Sequence, residues 1–284
     1  ATGGGHNASD TIYIDVCNPL PDVVESQTIS IEGGSKDRFD CLNFIDGSGL
    51  LTIATMPTID FGGAFSFVEN YSHYCTEQLS ARAMYILYAR KFLSSEEQKR
   101  AEEALPALLK MIESRQLSNG GFAYWPGNNN AHEWVTSMAG EVMTQARRQG
   151  FSVSSECYNR WIEYQNNAAR RYRHSSTDGA DLIQSYRLYT LVLADQQPTA
   201  AMNKLRESKS ISQQALLRLA ATYALSDKDD VAEKLLSRSD SAMAVNGSYA
   251  TFWSPLRDKA MTIESLLIIG EKTRAFKLAL EVAN

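Results

Sequence analysis

The spacing of apolar residues changes character once along the chain, near residue 58. Before that point, short runs rich in Ile, Val and Thr alternate with Gly, Asp, Asn and Pro, which is typical of β-strands separated by turns. These runs are Thr11–Val16, Thr28–Ile31 and Gly49–Thr55. The pattern therefore predicts a β-strand segment over residues 11–58, preceded by a glycine-rich linker or disordered end at residues 1–10.

After residue 58 the apolar residues recur at the spacing of an amphipathic helix, as in the set Leu79, Ala83, Ile86 and Leu87. The pattern predicts ten helices, near 76–93, 95–114, 131–149, 154–170, 178–195, 198–207, 212–225, 228–238, 254–270 and 271–283. Short loops between them imply antiparallel hairpins, because a short connection returns the chain beside its predecessor. We therefore expect residues 59–284 to form a mainly α domain of hairpins, closed into a ring or stacked into a solenoid.

Composition and charge exclude several classes of function. The 284 residues are 44% hydrophobic and 21% charged, with a formal net charge of −5. An acidic balance argues against a nucleic-acid surface, which needs clustered Lys and Arg. No apolar run approaches the roughly 20 residues of a membrane span, and no signal peptide is visible at Ala1. We expect no nucleic-acid partner and no direct membrane contact from this segment, which has the character of a piece of a longer protein.

The chain contains four cysteines, at positions 17, 41, 75 and 157. Their spacing matches no zinc pattern, and we predict neither a metal site nor a cofactor. Cys17 and Cys41 lie in the same β-like segment, and the sequence leaves open whether they form a disulfide. Cys157 lies in a helical stretch and is expected to be a small core residue.

The tetrapeptide Cys75-Thr76-Glu77-Gln78 carries the most specific chemistry of the chain. It places a thiol and a side-chain amide three residues apart at the start of a helix, where side chains at that spacing share one face. A thiolate that attacks the carboxamide carbon of Gln78 and expels ammonia leaves an internal thioester. Such a bond is an acyl donor for an incoming nucleophile.

The residues around the tetrapeptide strengthen this interpretation. The run Tyr71 to Arg82, YSHYCTEQLSAR, resembles the thioester motif of the alpha-macroglobulin and complement family. Its bacterial members have a YPYGCTEQ-like run that leads into the first helix of the thioester domain, and Ser72/His73 and Tyr74 stand here where that pattern has Pro and Gly. A second stretch, NGGFAYW at 119–125, resembles the DGGFxxW-type turn of α/α toroids.

The resemblance implies a fold and a function beyond what periodicity shows. It implies an α/α toroid of six hairpins inserted into a β-sandwich of the CUB type. Residues 11–58 would then belong to a CUB-like or neighbouring β-domain, and the toroid of residues 59–284 would be truncated at its C-terminus. It also implies an endopeptidase inhibitor, a protease trap rather than an enzyme, whose thioester captures lysine amines of target proteases. The other implied partners are further domains of the parent protein. The parent protein would be periplasmic, at the cell surface or secreted by a bacterium. Whether it is lipid-anchored is left open.

The same resemblance assigns roles to particular residues. Cys75 and Gln78 are the thioester pair, with Glu77 between them in the motif. The family buries its thioester against aromatic side chains, and exclusion of water suppresses hydrolysis. The candidate shielding residues are Tyr71, Tyr74, Tyr124 and Trp125.

His174 is the candidate for acyl transfer. Some relatives use a histidine well downstream of the cysteine to redirect the acyl group towards hydroxyls, and His174 is the only histidine at a comparable position. A histidine needs a matched pKa and geometry for such a role. The alternative is a solvated loop residue beside three arginines.

Two other classes of function remain open. A toroid-fold glycosidase, or a terpenoid cyclase or prenyltransferase relative, needs paired or clustered acids, and Asp178 and Asp181 are the nearest pair. A cysteine hydrolase would use Cys75 as nucleophile and a distant histidine as base. A zinc-protease helix is excluded, because Thr136 stands where the motif begun by His132 needs its second histidine.

Overall fold

The computed structural model describes most of the chain after residue 60 and scattered pieces before it. The described residues are 61–71, 73–173, 179–240 and 248–283, with 2–7, 9–13, 27, 29, 31, 33–36, 38, 49, 51, 53 and 59. The chain divides into two compact units, Ala1–Ile53 and Ala54–Asn284.

In the first unit, an antiparallel hairpin joins β1 (Thr2–Gly3) to β2 (His6–Asn7). The hairpin occupies part of the 1–10 end that the sequence predicts as linker or disordered. Most residues of the three predicted strands lie outside the described ones, and those that are described are not in strands. The CUB-like segment at 11–58 stays a prediction.

The described part of the second unit is built from α-helices. They are α1 (Phe61–Asn70), α2 (Thr76–Ala89), α3 (Ser95–Glu113), α4 (Glu133–Arg148), α5 (Ser155–Arg171), α6 (Ala180–Leu193), α7 (Thr199–Arg206), α8 (Gln213–Ala224), α9 (Asp229–Asp240), α10 (Pro255–Ile269) and α11 (Lys272–Ala283). The mainly helical fold class is thus confirmed, and each of the ten predicted helices is present within a few residues of its expected ends.

The helix α1 is not predicted by the sequence pattern. It contains the pair Gly62 and Gly63, and glycine is among the weakest helix formers. Phe65 is its one buried residue. The helix packs against α2, and this tertiary contact outweighs its low intrinsic propensity.

The helices alternate between two layers. One layer consists of α2, α4, α6, α8 and α10, each of which contacts the next. The intervening helices pack against this series, with α3 on α2, α5 on α4 and α6, and α9 on α8. All residues of α6 from Leu182 to Leu193 are buried, as expected for a helix covered on several sides. This alternation is that of successive helical hairpins, while closure into a toroid stays a prediction.

Close packing between α4 and α5 depends on a helical glycine. A Cβ atom on Gly140 would lie 1.9 Å from the indole ring of Trp161. Trp161 is fully buried, and its Nε1 donates a hydrogen bond to the carbonyl of Thr136 at 2.9 Å. Only a residue without a side chain lets this indole reach the backbone of α4.

None of the described helices combines the length and the apolar character that a membrane crossing requires.

Candidate functional site

Cys75 lies immediately before α2 and is the N-cap residue of that helix, with φ −68° and ψ 158°. Its side chain is 0% exposed and its thiol is free. The sulfur lies 3.8 Å from Oε2 of Glu77, to which the S–H group can donate. The thiol singled out by the motif is therefore enclosed by protein and held away from bulk water.

Gln78 lies in the first turn of α2, on the face that Cys75 shares at this spacing. Its side chain is half-buried, and its Oε1 atom is buried without a hydrogen-bond partner among the described residues. Leaving a buried acceptor unpaired costs about 1–3 kcal/mol. A glutamine with a purely structural role is expected to have a hydrogen-bond partner for this atom. The unpaired carbonyl is therefore a candidate reacting group.

Glu77 lies between the pair and contacts the thiol. Burial raises the pKa of Glu77 above its ordinary value, and the hydrogen bond from Cys75 acts in the opposite direction. The carboxyl is thus held in surroundings that disfavour its negative charge.

The segment between α3 and α4 anchors the N-terminus of α2. The backbone N–H of Thr76 donates to the carbonyl of Tyr124 at 3.0 Å. The Thr76 hydroxyl donates to the carbonyl of Ala123 at 2.6 Å. Thr76 is 0% exposed, so water does not compete for these bonds. They fix Tyr124 beside the residue that precedes α2.

The glycines of this segment explain its shape. Gly120 has a φ of 91°, and a Cβ there would lie 2.3 Å from the carbonyl oxygen of Arg160. A Cβ on Gly121 would lie 2.5 Å from the Cβ of Ala131. Both glycines are therefore required by close approach, and Gly120 by its positive φ as well. The turn lets Phe122 reach the core, where its side chain is 0% exposed.

The phenol of Tyr124 lies beside the Cys75 thiol. Burial, the hydrogen bond with Cys75 and the nearby negative charges of Cys75 and Glu77 raise the pKa of Tyr124 to about 12. Its ring stacks on Phe252, with centroids 5.6 Å apart, and lies 5.7 Å from the His132 ring. A phenol that stays protonated over the physiological range thus lies beside the sulfur.

His132 and Phe252 belong to this cluster, and sequence reasoning missed both. Their rings stack with centroids 5.5 Å apart. The Nδ1 of His132 accepts from the backbone N–H of Val135 at 3.4 Å and caps α4, and burial lowers the pKa of His132. In the sequence, His132 is notable only as part of a zinc-protease helix, which is excluded. Phe252 is far from the motif in sequence, and its distinguishing feature, a positive φ of 49°, is visible only in the structure.

Of the other expected shielding residues, Trp125 packs its ring edge-on against the Tyr124 ring, with centroids 5.5 Å apart, while Tyr71 and Tyr74 have other contacts. The Tyr71 ring packs against the rings of His73 and Phe67 at 5.0 and 5.2 Å. Tyr74 is 46% exposed and Trp125 is 44% exposed. The structure thus brings Tyr124 close to the sulfur, while shielding of a thioester by any of the four residues stays a prediction.

Some candidate residues lie outside this site. His174 and Asp178 lie outside the described residues, so acyl transfer by His174 stays a prediction. Asp181 accepts hydrogen bonds from the backbone N–H groups of Leu182 and Ser212, at 2.8 and 2.6 Å, and so joins α6 to the start of α8. Among the described residues, no group of three or more His, Cys, Asp and Glu side chains could hold a metal ion.

Comparisons with known proteins place these features among relatives. No protein-family model matches the chain. The alpha-2-macroglobulin of Rickettsia conorii is 26% identical over 219 residues, which is 72% of this chain and 12% of that protein. The alpha-2-macroglobulin homolog of Yersinia pestis is 24% identical over 255 residues, which is 83% of this chain and 12% of that protein. The chain therefore spans about an eighth of the length of these curated relatives.

Solved structures show the same fold. The native Escherichia coli alpha-2-macroglobulin from domain MG7 to the C-terminus has a TM-score of 0.69 at 18% identity, covering 80% of this chain and 39% of that one. Salmonella alpha-2-macroglobulin reacted with methylamine has a TM-score of 0.68 at 20% identity, covering 80% and 16%. Trypsin-activated E. coli alpha-2-macroglobulin has a TM-score of 0.63 at 20% identity, covering 75% and 16%. Because the sequence and fold comparisons agree over most of its length, this chain is a relative of the bacterial alpha-2-macroglobulins.

Proposed function

We propose that this chain carries the thioester site of an alpha-macroglobulin-like protease trap, in which Cys75 and Gln78 form an internal thioester that lysine amines of a protease attack. The observation that carries the proposal is the pairing of a buried free thiol at a helix start with a buried, unpartnered carbonyl oxygen on Gln78. The comparisons support the family, and one of the similar structures is that of a Salmonella alpha-2-macroglobulin reacted with methylamine.

The chemistry follows from the two side chains. The Cys75 sulfur attacks the carboxamide carbon of Gln78, the new S–C bond forms, and the C–N bond breaks. The nitrogen leaves as ammonia and takes the thiol proton. A lysine amine later attacks the same carbon, an amide forms, and the sulfur leaves and regains a proton as the Cys75 thiol. The protease is then bound covalently through residue 78.

The buried setting suits this sequence of steps. Cys75 is fully buried, and Tyr124 lies beside its sulfur, so we expect water to reach the acyl bond poorly. A trap needs such protection until a protease arrives. We propose that cleavage elsewhere in the complete protein exposes the bond, with other domains of the same protein covering the site beforehand. The exposed rings of Tyr74 and Trp125 would face that cover.

The proposal extends to architecture and location. The alternating helices fit an α/α toroid, and residues 11–58 would belong to a CUB-like or neighbouring β-domain. The complete protein would act in the periplasm, at the cell surface or outside a bacterium, where proteases are encountered. No specific observation favours the enzyme alternatives. Asp181 is bonded to backbone N–H groups. Among the described residues, the groups beside the Cys75 thiol are Glu77 and Tyr124 rather than a histidine base.

The test is the intact mass and thiol content of the complete protein with and without methylamine. We expect the untreated protein to be lighter than its sequence mass by one ammonia. Methylamine should add one molecule per chain and release one thiol. Peptide mass spectrometry should place the added group on residue 78.

Cys157 provides a matched control, since it is also free and buried but lies outside the motif. We expect Cys75→Ala to abolish methylamine uptake and Cys157→Ala to leave it intact. A freshly prepared protein of full sequence mass that never takes up methylamine would refute the proposal. Methylamine uptake that survives Cys75→Ala would refute it equally.

A further inference from the structure

Two buried polar atoms of opposite character lie on one face of α2. They are Oε1 of Gln78, a hydrogen-bond acceptor, and Nε of Arg82, a donor. Residues four apart are neighbours on a helix surface. Neither atom has a hydrogen-bond partner among the described residues, so they are not bonded to each other in this state.

The rest of the Arg82 guanidinium is held by the chain that leads into α2. Its Nη1 donates to the carbonyl of Tyr71 at 3.4 Å, and its Nη2 donates to the carbonyl of Glu69 at 3.2 Å. The guanidinium carbon also lies 5.9 Å from the centre of the Tyr74 ring. These contacts fix the group beside the motif and leave its Nε–H buried without a hydrogen-bond partner among the described residues.

The reacting carbonyl needs a donor only during the reaction. When sulfur or an amine attacks the side-chain carbonyl carbon of residue 78, the C=O electrons move onto Oε1 and form a tetrahedral oxyanion. A cationic N–H group that is already in place stabilises this charge far more than it stabilises the neutral carbonyl. An acceptor and a donor that are both unpartnered at rest fit this requirement.

We propose that Arg82 is a further catalytic residue, whose Nε–H donates to Oε1 of residue 78 in the tetrahedral intermediates of thioester formation and of amine attack. The inference rests on the proposed function, because the oxyanion arises only if the Cys75 sulfur or an amine attacks the side-chain carbonyl carbon of residue 78. In amine attack, the N–C bond forms and the oxyanion collapses. The S–C bond then breaks, and the sulfur takes the proton lost by the nitrogen. Arg82 stays protonated throughout.

Catalysis and anchoring by Arg82 predict opposite results. If Arg82 only anchored the segment from Glu69 to Tyr74, its loss would loosen the approach to the thioester and speed its reaction with every nucleophile. If its Nε–H stabilises the oxyanion, its loss slows the reactions with amine and with water by a similar factor, since both pass through the same charge on Oε1.

The experiment follows thiol release from the complete protein with methylamine, and with water alone. We expect Arg82→Met to slow both reactions by about 100-fold, the usual loss when one oxyanion donor is removed. Arg82→Lys should lie between this variant and the wild type, because it keeps a mobile cationic donor. Arg100→Met is the matched control and should react at the wild-type rate. Arg100 also binds Glu69, with its Nε donating to Oε1 at 3.0 Å, but it lies on α3.

Each outcome has a defined meaning. A rate for Arg82→Met equal to or above that of the wild type overturns the inference and leaves Arg82 as an anchor. A folded Arg82→Met protein whose Gln78 still carries its amide, beside an Arg100→Met protein that has a thioester, supports the inference, because formation passes through the same oxyanion. A folded Arg82→Met protein with glutamate at position 78 has formed the thioester and lost it to water, and this result overturns the inference. Where Arg82→Met does not fold, Arg82→Lys decides, and a wild-type rate for it overturns the role of Nε. A wild-type protein that never takes up methylamine instead refutes the proposed function.

Discussion

Replacing Glu141 with glutamine should make the stability of the helical unit less sensitive to pH. Glu141 belongs to a polar group on α4, α6, α8 and α10, which we call the inner seam. It also contains the buried residues Tyr186, Tyr189 and Arg218 and the partly exposed Glu264. The Tyr186 hydroxyl donates to Glu141, and Arg218 pairs with Glu264 at 2.7 Å. The Tyr189 hydroxyl donates to Glu264 at 2.9 Å. The inner seam therefore holds two carboxyl groups against one guanidinium.

The magnitude follows from the surroundings of Glu141. Burial and the negative charge of Glu264 raise its pKa from 4.5 to about 7, although Tyr186 and Arg218 act in the opposite direction. Because the folded state binds this proton more tightly than the unfolded state, stability is greatest below the unfolded pKa and falls as pH rises through the folded one. A shift of this size corresponds to about 3 kcal/mol. The neighbouring phenol of Tyr88 on α2 does not titrate in this range, since its pKa is raised to about 12.

The assay is urea unfolding at about pH 5 and about pH 8, followed by tryptophan fluorescence. All four tryptophans lie after residue 60, so the signal reports the helical unit. Between the two pH values, the wild type should lose up to about 3 kcal/mol more free energy of unfolding than Glu141→Gln does. Glutamine keeps an acceptor for Tyr186 and removes the titration.

The control is Glu103→Gln, whose side chain is 66% exposed on α3 and which should follow the pH profile of the wild type. Glu264→Gln should lower the pKa of Glu141, because it removes a neighbouring negative charge. Parallel pH profiles for the wild type and Glu141→Gln would show that the reasoning about Glu141 is wrong.

Two further substitutions test the packing that positions the site. Gly140→Ala should destabilise the helical unit by about 1–3 kcal/mol or more, because its Cβ would overlap the indole of Trp161. The control is Gly33→Ala, whose Cβ would meet open space. Equal urea midpoints for the two variants would contradict the packing argument. Thr76→Val should destabilise it by about 1–3 kcal/mol, because the buried carbonyl of Ala123 loses its hydroxyl partner. It should also speed hydrolysis of the thioester by loosening the segment over the sulfur, and an unchanged hydrolysis rate would count against that role.

The helices and the central motif could be predicted from local sequence. The apolar spacing around Leu79 and Ile86 specifies a helix because each residue needs only its neighbours one turn away to show the pattern. The pairing of Cys75 with Gln78 is local for the same reason, since both lie within one turn of α2. The run of residues around the pair is also continuous in sequence, and its resemblance to the thioester motif indicates the family.

The surroundings of the motif depend on residues far away in the chain. Tyr124 was expected near Cys75, but its stacking on Phe252 joins two loops more than a hundred residues apart, and no local pattern encodes that contact. The helix α1 was missed because packing on α2 offsets its glycines. In the sequence, Arg82 cannot be distinguished from any surface arginine. Its hydrogen bonds to the carbonyl groups of Glu69 and Tyr71 are seen only in the structure.

The sequence by itself determined the helical class, the candidate pair Cys75 and Gln78, and the resemblance to the family, because periodicity and motif spacing are properties of neighbouring residues. The tertiary structure decided which atoms are buried and unpartnered, which aromatic ring lies beside the sulfur, and how the carboxyl groups of the inner seam share one guanidinium. Burial and electrostatics depend on every element packed around a group. Burial and electrostatics can therefore be assigned only once the positions of the packed helices are known.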